Sequence, residues 1–160
     1  MRKIHTQCCI VGGGPAGIML GYLLARVGIE TVILEKWDDF FRDFRGDTIH
    51  PSTMGVLDEL GLLKKFLTLP VNETEHISAY FDGRKRTIAD FSHLKGVPPF
   101  IGFIPQWDFL NFLAEEGKEF TEFKLKMGTE AVDLIRDGEE IVGVKAKDTK
   151  GELDIRADLI

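Results

Sequence analysis

Cysteine is scarce in this 160-residue chain, with Cys8 and Cys9 the whole complement. Neighbouring strand residues point to opposite faces, so a disulfide between these two is geometrically poor. No other cysteine or histidine stands at ligand spacing from them. They exclude a disulfide scaffold and a zinc finger, and read as two small buried strand residues. Long apolar runs are missing too, none approaching the ~20 residues that span a bilayer. The basic start Met1-Arg2-Lys3 leads into an apolar run that glycines interrupt without a cleavage-like site, which argues against a signal peptide. Positive charge is in deficit: 20 Lys and Arg against 26 Asp and Glu leave a net charge of −6. Such a surface repels phosphate backbones and excludes nucleic acid as a partner. Histidine is sparse as well. His5, His50, His76 and His93 share no helix-face spacing, so no metal site is expected. Nothing resembles a Ser/His/Asp or Cys/His nucleophile set. What remains is a soluble globular domain, 44% hydrophobic and 29% charged, able to bury one core. It is expected in the cytoplasm, away from membranes.

The apolar pattern begins with a buried parallel strand over 4–11 that stops at a glycine cluster. Residues 15–27 carry Ile18, Met19, Tyr22, Leu23 and Val27 at helical spacing, with Pro15 in the first turn and Gly28 after the last. A second β-branched strand covers 31–35, completing a βαβ unit. Residues 37–50 look irregular. Their aromatics Trp37, Phe40, Phe41 and Phe44 read as core packing or the lining of a cofactor channel. Pro51 opens a helix with Met54, Leu57 and Leu60 on one face, closed by a left-handed Gly61 and a packed Leu62. A short helical turn over 62–67 follows. Two strands, 77–81 and 87–91, flank Asp82-Gly83, with Arg84, Lys85 and Arg86 read as lengthening the loop. Val97-Pro98-Pro99 is a break, and 106–120 is helical with Gln106, Leu110 and Leu113 on one stripe. Asp108 faces the dipole of its first turn. Short strands over 124–127, 131–135, 141–148 and 153–160 are separated by Gly128, Asp137-Gly138 and Lys150-Gly151. The last strand is just beginning as the chain stops, which reads as a fragment of something longer.

Between the first strand and first helix stand Gly12, Gly14 and Gly17 in the order G-x-G-x-x-G. Gly12 permits the tight turn, Gly14 lets a pyrophosphate touch the backbone, and Gly17 lets the helix lie close on the strand. With Pro15 and Ala16 they open a helix whose free N–H groups and dipole favour anionic phosphates. The bland alternative is a glycine-rich turn with no ligand, but the strand–turn–helix setting is the one the motif requires. Glu35 ends the second strand about twenty residues on, where a carboxylate accepts hydrogen bonds from an adenosine ribose and repels a 2′-phosphate. That points to FAD or NAD over NADP, against the alternative of a solvated strand-end glutamate. Lys36 beside it is an exposed residue or a further cofactor contact.

Three stretches together resemble the FAD-dependent aromatic hydroxylases of the para-hydroxybenzoate hydroxylase family. They are Val11-Gly12-Gly13-Gly14-Pro15-Ala16-Gly17, the run Arg45-Gly46-Asp47-Thr48-Ile49-His50-Pro51 leading to Leu57-Asp58-Glu59-Leu60-Gly61-Leu62, and Gln106 at the head of its helix. The resemblance implies that Gly12, Gly14, Pro15, Ala16 and Gly17 hold the FAD pyrophosphate and Glu35 the adenosine ribose. It implies that Arg45 reaches the pyrophosphate or ribityl chain, Gln106 the phosphate–ribityl region, and the Ala131–Val132 backbone the adenine edge. Arg45 read alone is also a surface partner for Asp43 or Asp47, and Gln106 an exposed helix-start residue. The implied fold is α/β, a Rossmann-like FAD-binding domain with a parallel sheet plus an antiparallel β excursion, truncated before the rest of the fold. Residues 1–72 and 104–160 would form the FAD-binding domain, and 73–103 the first segment of a substrate-binding sheet. The implied activity is hydroxylation of a phenol-like substrate with NAD(P)H and O₂, the flavin doing the chemistry and no residue of this chain acting as an evident acid or base. The family's later glycine–aspartate segments are not present, so the chain alone is expected to be inactive. Unpaired sheet edges favour a homo-oligomer. The rivals are a halogenase or prenyl reductase of the same superfamily, an NAD-dependent dehydrogenase, and an inert nucleotide-binding fragment.

Overall fold

A computed structural model describes residues 2–41 and 46–160; Arg42, Asp43, Phe44 and Arg45 lie outside the described residues. The chain divides into two compact units, 1–41 with 110–160, and 42–109.

The first unit is built on a six-stranded sheet. Its elements are β1 (Arg2–Val11), α1 (Pro15–Arg26), β2 (Thr31–Leu34), the later part of α4 (Gln106–Gly117), β8 (Phe123–Lys126), β9 (Glu130–Asp137), β10 (Glu140–Asp148) and β11 (Gly151–Leu159). The strand order is β8-β2-β1-β11-β10-β9. The first four run parallel, with Ile10 beside Ile33 and Ile4 beside Ile155; β10 and β9 then fold back antiparallel. This is the parallel sheet expected from the βαβ pattern, extended by a meander. All four residues of β2 are buried, as a central strand covered on both faces requires. Cys8 and Cys9 are both buried, so β1 is also covered on both faces at that level. Cys9 packs into a cluster with Val32, Leu34, Val144, Ala146, Leu153 and Ile155. Phe40 is buried, whereas Trp37 and Phe41 are exposed, so only the first of these three aromatics serves the core.

α1 ends as its sequence indicates, with Gly28 N–H donating to Ala25 C=O (2.9 Å) and Ile29 N–H to Leu24 C=O (3.0 Å). α4 stops at Gly117, short of the expected 120. The ring of Phe123 fills the space a side chain at 117 would need, its Cε1 lying 2.8 Å from an ideal Cβ. Arg2 fastens the outer end of the sheet, pairing bidentately with Asp148 (2.9 and 2.5 Å) and donating to Gly151 C=O (2.9 Å).

The second unit holds β3 (Thr48–Ile49), α2 (Pro51–Glu59), α3 (Leu63–Phe66), β4 (Asn72–Thr74), β5 (His76–Phe81), β6 (Arg84–Asp90), β7 (Ile101–Phe103) and the first turn of α4. α2 closes on Gly61 as expected: Leu62 N–H donates to Leu57 C=O at 2.7 Å and Leu62 is buried. Met54, Leu57, Phe66, Ile101 and Ile104 are almost fully buried, and Phe66 meets Phe109 edge-on at 5.7 Å. Two features depart from the sequence reading. A three-stranded sheet, β3-β7-β4, takes in residues 48–49, read as irregular, and 72–74 and 101–103, to which no element was given. Strands of two or three residues are too short to show alternation. Arg84, Lys85 and Arg86 belong to β6, opposite Phe81, Tyr80 and Ala79. Asp82 (φ 49°) and Gly83 (φ 73°) make a two-residue turn with both φ positive, the Asp-Gly preference of tight hairpins, so no residue is left over for a longer loop.

Candidate functional site

β1 delivers the chain into the glycine turn at a level set by one hydrogen bond, Gly12 N–H to Leu34 C=O (2.8 Å). The backbone at Gly12 then turns through φ +113°, a conformation side chains rarely allow. An ideal Cβ at Gly17 would overlap the Gly12 carbonyl oxygen and come within 3.3 Å of Ile10 Cγ2. Gly17 is therefore where helix and strand touch. At Gly12 and Gly14 the opposite holds, since an added Cβ would meet nothing within 4 Å. These two positions face open space over the start of α1. Gly14 is its N-cap in extended geometry and has no side chain to satisfy the helix's leading N–H groups. The surface there is lined by Val11, Gly12, Gly14, Pro15, Ala16 and Gly17. Bare backbone, unclaimed helix-start donors and the positive end of a 12-residue helix fit a diphosphate. A Cβ at Gly14 would project into that same space.

Glu35 is tied to this turn. Its Oε2 accepts from Gly13 N–H at 2.9 Å and its Oε1 from Trp37 N–H at 3.1 Å. Its backbone is also held, donating to Lys126 C=O and accepting from Thr129 N–H. The carboxylate thus braces the turn from the end of β2. Gly13 is the residue the sequence reading missed. It is buried and has no room for a Cβ, which would lie 2.8 Å from Glu35 Cβ. The signal was an unbroken run of three glycines with Gly13 at its middle, next to a strand end whose partner strand closes on glutamate.

The other expected residues are placed as follows. Lys36 lies beside Glu35 with its ammonium 5.0 Å from the Trp37 ring centroid. Val132 is exposed on edge strand β9 at a register shift where Ala131 pairs Ala146 and Asp133 pairs Lys145, making it the extra residue of a bulge. Gln106 belongs to the second unit, at the head of α4. Its N–H donates to Asp47 Oδ1 at 3.3 Å. Arg45 lies outside the described residues. A wider depression, lined by His5, Gln7, Glu30, Glu140, Arg156 and Asp158, shares no residue with the glycine turn. Among the described residues no group of three or more His, Cys, Asp or Glu is placed to hold a metal ion, and no helix is long and apolar enough to cross a membrane.

Comparison with known proteins gives this geometry its context. The chain is 30% identical over 156 residues to 6-methylpretetramide 4-monooxygenase of Streptomyces rimosus, covering 98% of this chain and 37% of that protein. It is 24% identical over 136 residues to pentachlorophenol 4-monooxygenase of Sphingobium chlorophenolicum, covering 85% and 25%. The chain thus spans 37% of the length of the first of these relatives and 25% of the second. Its fold superposes on the crystal structure of p-nitrophenol 4-monooxygenase PnpA from Pseudomonas putida DLL-E4 with a TM-score of 0.81 at 20% identity, over 99% of this chain and 40% of that one. Residues 5–160 match the model of the FAD binding domain. A glycine turn open at Gly12 and Gly14, closed at Gly17 and braced by Glu35 is thus accounted for: the chain belongs to the FAD binding domain family.

Proposed function

We propose that this chain is the cofactor-binding portion of an FAD-dependent monooxygenase that hydroxylates a small aromatic compound, with NAD(P)H as reductant and O₂ as oxidant, in the cytoplasm. The observation that carries the reading is the open backbone at Gly12 and Gly14 above the start of α1. The names of the two curated relatives support the reaction class. When bound, the flavin supplies the redox chemistry.

The chain's own residues bind and orient. The backbone of Gly12, Gly14, Pro15, Ala16 and Gly17 holds the pyrophosphate. The Glu35 carboxylate, steadied by Gly13 and Trp37, accepts from the ribose hydroxyls and repels a 2′-phosphate. Lys36 flanks the ribose, the bulge at Val132 offers backbone groups to the adenine edge, and Arg45 and Gln106 reach the phosphate–ribityl region. Residues 1–72 and 104–160 serve the cofactor, while 73–103 open a substrate-binding sheet. No residue here is assigned as acid or base, and the isolated chain is assigned no turnover.

The test is flavin binding by the 160-residue chain, followed by quenching of flavin fluorescence. Saturable uptake with preference over NAD supports the reading, and a colourless chain indifferent to added flavin ends it. For the reaction, a protein carrying this chain is assayed for NADH and NADPH oxidation stimulated by phenols. A hydroxylated product is expected; a halogenated one would move the chain to the halogenase branch.

A further inference from the structure

Gly46 and Asp47 seat Gln106 from two sides. The segments 46–49 and 101–106 run antiparallel, with Thr48 opposite Phe103 and Ile49 opposite Gly102. Just beyond this ladder Ile104 N–H donates to Asp47 C=O at 3.0 Å. The Asp47 side chain then turns to the helix, its Oδ1 accepting the Gln106 N–H at 3.3 Å. A helix-start donor of α4 is thereby satisfied by a residue distant in sequence. Gly46 adds the second restraint. Its φ of +68° is one that glycine adopts freely, and an ideal Cβ there would run into Gln106 Nε2. The Gln106 carboxamide lies against the bare face of Gly46, its main chain pinned by Asp47 and its side chain given room only by a missing side chain.

We infer that Gly46 and Asp47 are positioning residues for Gln106, fixing its carboxamide as a ligand for the phosphate–ribityl part of the flavin. The inference rests on the proposed reading of Gln106 as a cofactor ligand. Gly46 and Asp47 touch Gln106, and act on the cofactor through it.

A double-mutant cycle on flavin affinity tests this, with circular dichroism confirming the fold of each variant. Gln106→Ala weakens FAD binding by about tenfold, the worth of one lost hydrogen bond to a charged group. Gly46→Ala and Gly46→Asn, the second tolerating the left-handed backbone, weaken it by a similar factor by displacing the carboxamide. In a Gln106→Ala background neither costs anything further. Asp47→Ala loses affinity, while Asp47→Asn, which keeps Oδ1, stays within about twofold of the parent. Additive losses around the cycle, or an Asp47→Ala chain that binds like the parent, overturn the inference and leave the role of Gln106 standing. A Gln106→Ala chain that binds FAD like the parent, or a parent that takes up none, removes the role of Gln106 and the inference with it.

Discussion

Gly13 donates its N–H to Glu35 across 2.9 Å, so the glycine turn and the end of the second strand form one structural piece. The carboxylate expected to read a ribose is also a strut of the turn expected to hold the phosphates. Glu35→Ala leaves the buried Gly13 N–H and the Trp37 N–H without this acceptor. It is expected to lower unfolding free energy by about 1–3 kcal/mol in urea as well as abolish flavin uptake. Loss of flavin with unchanged stability would show the strut to be idle.

Gly14 and Gly17 separate binding from folding. Gly14 has extended backbone and open space, so Gly14→Ala costs no more than ~1 kcal/mol of stability. Its methyl group would nonetheless stand in the space proposed for the diphosphate, and flavin affinity is expected to fall by at least about tenfold. Gly17→Ala drives a methyl group into the Gly12 carbonyl and costs about 1–3 kcal/mol in the absence of any ligand. Parallel denaturation and flavin titrations of the two variants check the split.

Asp148 predicts the acid limb of stability. The Arg2 guanidinium, first by its hydrogen bonds, holds the Asp148 carboxyl down at about 2. The unfolded carboxyl titrates near ~3.9. A depressed folded value means that the pair stabilises fully above about pH 4 and is lost as pH falls toward 2. Arg2→Ala is expected to be less stable at neutral pH, to lose less across that window, and to converge with the parent at its lower end. Parallel curves over the whole range would refute the pairing.

The cysteines make a chemical prediction. Burial pushes the Cys9 thiol up to about 11, Cys8 adding to the effect, and burial raises Cys8 as well. Thiolate is the reactive form. At about pH 8 neither thiol should react with a disulfide reagent until denaturant is added. Rapid modification of the folded chain would mean that β1 is not covered on both faces.

Much of the fold was legible because its signals are strong and local. Glycines at Gly28 and Gly61 end helices in the left-handed state, and the β-branched run at 31–34 is central and buried. What escaped depends on partners distant in sequence. β3 is a strand only because Thr48 finds Phe103 and Ile49 finds Gly102, β7 is held by β3 and β4 together, and neither segment is long enough to carry a period. The basic run 84–86 resembles a loop in composition, yet the Asp82-Gly83 turn pulls it into register. At the site, Gly12, Gly14 and Gly17 were readable because each has a geometric task at a fixed offset. Gly13 and Asp47 were not, since the task of each is a bond to a residue far along the chain, Glu35 and Gln106.

The pairing of Arg2 with Leu153 and of Cys8 with Leu159 has a consequence for biogenesis. One flank of the first strand cannot close until the eleventh has left the ribosome, so β1 spends synthesis with an open edge. Residues 42–109, the second compact unit, are translated in that interval. Contacts this far apart in sequence slow folding. During synthesis β1 would therefore be sheltered first by α1 and then by β2, in the order in which translation supplies them.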